Sequence, residues 1–335
     1  MANWQNHYSG PSGRTRAVIA DDAASSSPLQ RILSEAPHMN LTGRIYDEER
    51  IKEARGGYAD VFIGCQSVFA IAVLCARFGR WIEREMKIWS RLEHRNILPF
   101  LGYYMFEKDW PALISEWMDL GTLRNFLENH SKIDIVSLAY GIAEAIADRP
   151  FQLIYVLFSF QENILIGKNY QPLICDFGIS RMLDPTQSGF ISAIQTDYLR
   201  GTTQWMAPEL FYSDEGAEAT EAKHSKETDV WAYGMVLYEM ISKKVPYAHL
   251  HRDAQVVVMI ARGELPRLPK FQDVESHMRL PSDLYPQICL ICKACWAKSP
   301  EKRSAMVEML LYLAHVYTSQ KTFQQQLNMA LGHKK

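Results

Sequence analysis

Asp176 and Asn163 lie thirteen residues apart, each at the edge of an apolar run: residues 171–175 lead into Asp176-Phe177-Gly178, and Asn163 opens Asn163-Ile164-Leu165-Ile166. A carboxylate at a strand end beside a glycine hinge, with an amide oxygen brought near it, supplies oxygen donors suited to Mg2+ carried on phosphate groups. Downstream, across a Ser/Thr-rich stretch, comes Ala207-Pro208-Glu209, and Arg303 in Ser299-Pro300-Glu301-Lys302-Arg303 offers Glu209 a partner for a buried ion pair that would fix the preceding loop. That loop carries hydroxyls at Ser180, Ser188, Ser192, Thr196, Tyr198 and Thr202, and phosphorylation there would order it. Cys289, Cys292 and Cys295 recur at intervals of three, which fits the buried stripe of a helix better than a metal site, since no further Cys or His pair completes a set nearby.

These groups need elements to position them. The first forty residues are rich in Ser, Gly and Asp with little apolar periodicity, so residues 1–40 are expected as a disordered tail. A strand-rich block follows: Gly56-Gly57 marks a turn, and 58–63, 69–74, 97–104 and 112–117 have strand character. Between them Ile82, Met86, Trp89 and Leu92 form one apolar face of a helix over 81–92. From Gly121 onward the pattern is mainly helical, over 122–127, 134–147, 226–242, 253–262, 286–296 and 306–317, with 319–335 as a C-terminal tail, either frayed or prolonging the helix. The fold class is α+β, with a small, mainly antiparallel β lobe holding one helix (45–118) and a larger helical lobe (119–318).

Bulk composition narrows the partners. With 47% hydrophobic residues the chain can bury a large core, and a net charge of -2 provides no broad basic field, so nucleic acid is not expected as a partner. No run is long and apolar enough for a membrane span. Six cysteines without a signal peptide imply free thiols in a reducing compartment, hence the cytoplasm.

From Gly43 to Tyr317 the sequence resembles protein kinases of the tyrosine-kinase-like group, such as those abundant in fungi, carried by Asp176-Phe177-Gly178, Ala207-Pro208-Glu209 and Asp229-Val230-Trp231-Ala232-Tyr233-Gly234 in order. The resemblance implies a two-lobed fold, ATP and Mg2+ as cofactors, and protein partners or substrates. Gly201-Thr202-Thr203-Gln204-Trp205 looks like the loop of Ser/Thr-directed members. It also implies roles for single residues. Asn163 and Asp176 would hold the metal; Gly56, Gly57 and Val61 would cover the nucleotide; Glu85 would pair with a strand lysine; Ser115 matches the gatekeeper, and Glu116, Trp117 and Met118 the adenine-binding hinge.

Three departures from the family pattern bear on activity. In the phosphate-covering loop, Ala54 and Ala59 stand at two of three motif glycines and only Gly56 survives, so backbone amides approach phosphate less closely. Phe69-Ala70-Ile71-Ala72 puts Ala72 at the phosphate-lysine position. Five residues before Asn163, where the family has its catalytic Asp, stands Phe158, which cannot accept a proton. No catalytic residue is then intact, and phosphotransfer is expected to be negligible, since a general base alone contributes ~10² to 10⁴ in rate.

Val156-Leu157-Phe158-Ser159-Phe160-Gln161 is also the peptide encoded by pyrimidine-rich DNA ending in CAG, as at the 3′ end of an intron. Residues from about Asp148 to Gln161 therefore read either as translated intron or as a genuine apolar strand of a diverged chain. Two functional readings stand: a Ser/Thr-type kinase by descent, catalytically impaired as written, or a pseudokinase that acts as a nucleotide-binding or partner-binding scaffold.

Overall fold

The computed structural model describes residues 28–55, 59–66, 69–76, 79–107, 110–148, 154–155, 163–175, 181–182, 203–211 and 225–332. Strands β1 (Tyr46–Arg55), β2 (Ala59–Gln66), β3 (Phe69–Ala76), β4 (Phe100–Glu107) and β5 (Trp110–Glu116) form an antiparallel sheet in the order β1-β2-β3-β5-β4. β3, whose sequence FAIAVLCA is rich in apolar and β-branched residues suited to a strand, lies at the centre of the sheet. Helix α2 (Gly79–Trp89) buries Ile82, Met86 and Trp89, spaced four and three apart, in a cluster with Leu98, Tyr103 and Leu113. The strand-rich small lobe with its one packed helix is as the sequence implied.

The large lobe is built on helices α3 (Leu123–Asn129), α4 (Ile135–Ala147), α5 (Lys226–Ser242), α6 (Asp253–Ala261), α7 (Phe271–Val274), α8 (Tyr285–Cys295) and α9 (Met306–Gly332). Short polar side chains start several of them. The Thr122 hydroxyl accepts from the Asn125 N–H, the Asp134 carboxylate from the Ser137 N–H, and Ser225 and Thr228 cap each other reciprocally at the head of α5. α5 is buried on all sides: Val230, Trp231, Tyr233, Met235, Val236, Leu237, Met240 and Ile241 all belong to the main core. The Tyr233 hydroxyl finds its partner in the Ala139 carbonyl of α4 at 3.0 Å, which locks these two helices together. Cys292 and Cys295 of α8 sit in that same core, and burial pushes the Cys295 thiol up to about 12, so they act as inert packing groups.

The N-terminal stretch departs from the expected layout, and other segments take one of the forms the sequence left open. Residues 28–40 are folded: α1 (Pro28–Glu35) and a 3-10 turn (Pro37–Met39) lie against the small lobe. β1 runs through the charged stretch 47–52. At the other end α9 continues to Gly332. Within the stretch 148–161, Ile154 and Tyr155 form a short strand, β6, pairing antiparallel with β9 (Arg181–Met182).

Candidate active site

A tight hairpin carries Asn163 at its open end and ends one residue before Asp176 in the chain. β7 (Ile164–Ile166) pairs with β8 (Pro172–Ile174) in the register Ile164↔Ile174, Leu165↔Leu173, Ile166↔Pro172. Its turn closes with Gly167 N–H to Gln171 O at 2.9 Å and with Tyr170 at φ 59°. At the open end the Cys175 N–H donates to the Asn163 carbonyl at 2.9 Å. Asn163 and Cys175 are thus cross-strand partners, and Asp176 follows Cys175 directly in the chain. Asp176 itself, with Phe177 and Gly178, lies outside the described residues.

The hairpin is anchored from both lobes. On one side the Leu98 N–H donates to the Ile174 carbonyl and the Ile174 N–H to the Asn96 carbonyl, each at 2.9 Å, while Asn96 Nδ2 donates to the Pro172 carbonyl at 2.9 Å. The Leu98 carbonyl in turn accepts the Trp89 indole N–H of α2 at 2.6 Å. Hydrogen bonds therefore run from the helix that carries Glu85 to the strand that delivers Asp176. Gly141 of α4 permits this packing: a Cβ there would lie 2.8 Å from both Asn96 Nδ2 and Pro172 Cγ.

The segment joining the lobes borders the same hairpin. The Gly121 N–H donates to the Met118 carbonyl and the Ile166 N–H to the Gly121 carbonyl, each at 2.9 Å. Ser115 and Met118 are buried, at 4% and 6% exposed, and the Ser115 hydroxyl leans toward the Glu116 carbonyl at 3.5 Å. The Glu116 side chain points away to an ion pair with Lys168 of the β7–β8 turn at 2.8 Å, where the carboxylate raises the Lys168 pKa. Sequence reasoning gave Lys168 no role, because its partner is fifty-two residues away and the pairing exists only once the hairpin is folded against the hinge.

Ala72 occupies the centre of the sheet, directly opposite Ser115 of β5 and Ile63 of β2. Glu85 of α2 is 5% exposed. Val61 lies in β2 opposite Leu74, whereas Gly56, Gly57 and Phe158 fall outside the described residues.

Further along, the anticipated ion pair is present. Arg303 Nη1 and Nη2 reach the two carboxylate oxygens of Glu209 at 2.5 and 2.7 Å, a bidentate fork with the guanidinium fully buried. Arg303 also donates to the carbonyls of Glu227 and Ala297, each at 2.8 Å, and lies 5.1 Å from the Trp231 ring centroid. A second tie was missed. The Trp205 indole donates to Glu239 of α5 at 2.8 Å, with Glu239 1% exposed. Trp205 stands inside a motif quoted for its neighbours, and nothing in the local pattern of α5 marks Glu239 as its partner.

The family profile described as protein kinase domain matches residues 55–317. This chain belongs to the protein kinase family. Among curated kinases it is 24% identical over 270 residues to serine/threonine-protein kinase STY17 of Arabidopsis thaliana, covering 77% of this chain and 42% of that protein. It is 27% identical over 236 residues to serine/threonine-protein kinase CTR1 of the same plant, covering 68% of this chain and 25% of that protein. Mitogen-activated protein kinase kinase kinase zak-1 of Caenorhabditis elegans is 25% identical over 240 residues, covering 67% of this chain and 29% of that protein. The chain spans well under half the length of these relatives. Within this fold β3 carries Ala72, α2 carries Glu85, residues 116–118 follow from the end of β5, and the β7–β8 hairpin joins Asn163 to Cys175 at its open end. No helix among the described residues is long and apolar enough to cross a membrane.

Proposed function

We propose that this protein kinase domain binds Mg2+-ATP in the cleft between its lobes, is of Ser/Thr type, and transfers phosphate poorly or not at all. The observation that supports the nucleotide reading is the Asn163–Cys175 backbone bond, which sets Asn163 beside the residue that precedes Asp176 in the chain. An amide and a carboxylate are oxygen donors that fit Mg2+. When bound, the metal would neutralise phosphate charge. The backbone of 116–118 would receive adenine, with the hinge pinned to β7 through Gly121. Buried Ser115 is a small gatekeeper behind it.

Impaired transfer rests on what the chain lacks. Ala72 offers no cation to the phosphates from the middle of β3, and Lys87, the nearest lysine downstream, is exposed on α2. Phe158 offers no proton acceptor to a substrate hydroxyl. Loss of a general base removes ~10² to 10⁴ in rate. The missing lysine serves the same transition state, so the two losses need not multiply. These two substitutions favour the second reading, a pseudokinase that signals through bound partners. Cys289, Cys292 and Cys295 form no disulfide, consistent with a reducing, cytoplasmic location. Ser/Thr specificity is supported by the Thr202-Thr203-Gln204-Trp205 segment and by the likeness to the two plant serine/threonine-protein kinases.

The test is thermal unfolding with and without Mg2+-ATP, alongside a phosphotransfer assay. Saturation at about 100 times Kd stabilises by about 2.7 kcal/mol, or about 4 °C for a chain this long. That shift should vanish in Asn163→Ala and Asp176→Ala. Absence of a shift in a cooperatively folding wild-type chain would leave the partner-binding scaffold. Phosphotransfer by the wild-type chain at ordinary kinase rates of about 1 to 100 per second would overturn the impaired reading. Transcripts that all contain the codons for 148–161 would remove the intron account of Phe158.

A further inference from the structure

Residues 28–45 precede the stretch matched by the kinase profile, which starts at residue 55, yet they are built into the small lobe. α1 packs on α2, and Leu33, Ala36 and Met39 close over the cluster that contains Ile82, Met86, Trp89 and Tyr103. The hydroxyl of Tyr103, a residue 3% exposed, donates to the Leu33 carbonyl at 3.2 Å and so ties α1 to β4. Asn40 bridges to Tyr103, the Leu41 N–H donates to the Tyr103 carbonyl at 2.7 Å, and the Met105 N–H donates to the Thr42 hydroxyl at 3.1 Å. Residues 40–42 thereby cover β4, the edge strand of the sheet.

Gly102 permits the approach. Its φ is +147°, and a Cβ there would lie 2.3 Å from the Met39 carbonyl oxygen. α1 has only eight residues, too few to be helical alone, since isolated helices shorter than ~12 residues are marginal in water. Its order therefore derives from the surface it covers. The segment is docked or it is unfolded.

We propose that residues 28–42 are a built-in positioning element for the cleft: α1 holds α2, and through it Glu85, against the sheet, with Leu33, Gly102 and Tyr103 as the positioning residues. The consequence for ligand affinity rests on the nucleotide reading above, whereas the consequence for α2 does not.

The experiment is hydrogen exchange of the full chain, comparing residues 79–92 with 226–242 and 285–295, together with titration of a fluorescent ATP analogue in Mg2+. Leu33→Asp and Gly102→Ala should each speed exchange in 79–92 by about tenfold or more while leaving the two core helices unchanged. Leu33→Ile should match the wild type. Nucleotide Kd should rise at least about threefold in the first two variants, as expected when the binding-competent arrangement is less populated. Unchanged exchange in 79–92 while 28–35 exchanges freely would overturn the proposal. If Leu33→Asp loosens the large lobe as well, Tyr103→Phe, which deletes one hydrogen bond, decides by the same local comparison. A wild-type chain that binds no nucleotide would remove the nucleotide reading only, because exchange in α2 still tests the clamp.

Discussion

Replacing Glu209 by alanine tests whether the Arg303 fork holds the 203–211 segment against the large lobe. Arg303 is fully buried at its side chain, with both carboxylate bonds at 2.7 Å or less. Removing one partner of a buried ion pair costs about 3 to 5 kcal/mol, because the remaining charge stays desolvated. Two features pull the expected value to the low end: Arg303 keeps carbonyl bonds to Glu227 and Ala297, and Glu209 is 25% exposed, so water can enter where it stood. For a chain of 335 residues the unfolding entropy is about 0.7 kcal/mol/K, which converts about 3 kcal/mol into about 4 °C. Differential scanning calorimetry should show that drop, and hydrogen exchange should rise in 203–211 more than in 135–147. A Glu209→Ala chain melting within about 1 °C of the wild type would refute the assignment of this pair as the fastening of the segment.

Three other perturbations probe the remaining ties. Gly141→Ala forces a Cβ to within 2.8 Å of Asn96 and Pro172; overpacking of this kind costs about 1 to 3 kcal/mol, and calorimetry should find the loss together with weaker Mg2+-nucleotide binding, because the displaced strand leads to Asp176. The pKa of His94 is lowered, chiefly by burial, and its Nδ1 accepts the Asn96 N–H at 3.0 Å. The unfolded chain therefore protonates first: stability from the neutral ring is complete above the ordinary value of about 6.5 and is lost as pH falls through it toward the folded value. Tm compared at pH 7.5 and 5.5 should fall more steeply in the wild type than in His94→Gln, and equal slopes would remove His94 from the account. Lys168→Ala breaks a pair whose side chains are 67% and 41% exposed, so Tm should stay close to the wild-type value and the small difference should shrink further in high salt.

How much of this was legible before folding depended on how local the signal was. α4 and α5 announce themselves through Asp134 and Ser225 at their heads and through apolar periodicity, and the strand that leads to Asp176 follows from its apolar run, whereas its pairing with β7 was not foreseen. The Glu209–Arg303 pair was visible because both residues sit in short motifs. α1 was not visible: eight residues between Ser- and Asp-rich stretches carry too little apolar surface to stand out, and what stabilises them is α2, some fifty residues downstream. β1 was hidden by its charges, since pairing with β2 is a backbone matter that DEERIKE does not advertise. The Trp205–Glu239 contact spans thirty-four residues and has no periodic signature at all.

The departures from the family pattern fall on a different set of residues from the ones that hold the fold. Asn96, Gly141, Glu209, Trp205, Glu239 and Arg303 take part in the contacts that seat the hairpin and the 203–211 segment. Ala72 sits between β2 and β5 with its strand paired on both sides, so losing a lysine there leaves the sheet intact. A side chain whose task is to touch phosphate can be lost without touching stability; one that seats a strand cannot. This separation gives the last prediction. Restoring Ala72→Lys and Phe158→Asp together should leave Tm within about 2 °C of the wild type, since side chains that serve phosphate and proton transfer are not the ones that seat the strands. It should also raise phosphotransfer to a protein substrate by at least the ~10² that a positioned base supplies. A revertant that binds Mg2+-ATP as the wild type does but stays inactive would place the defect beyond these two residues, in the phosphate-covering loop where Ala54 and Ala59 replace glycine.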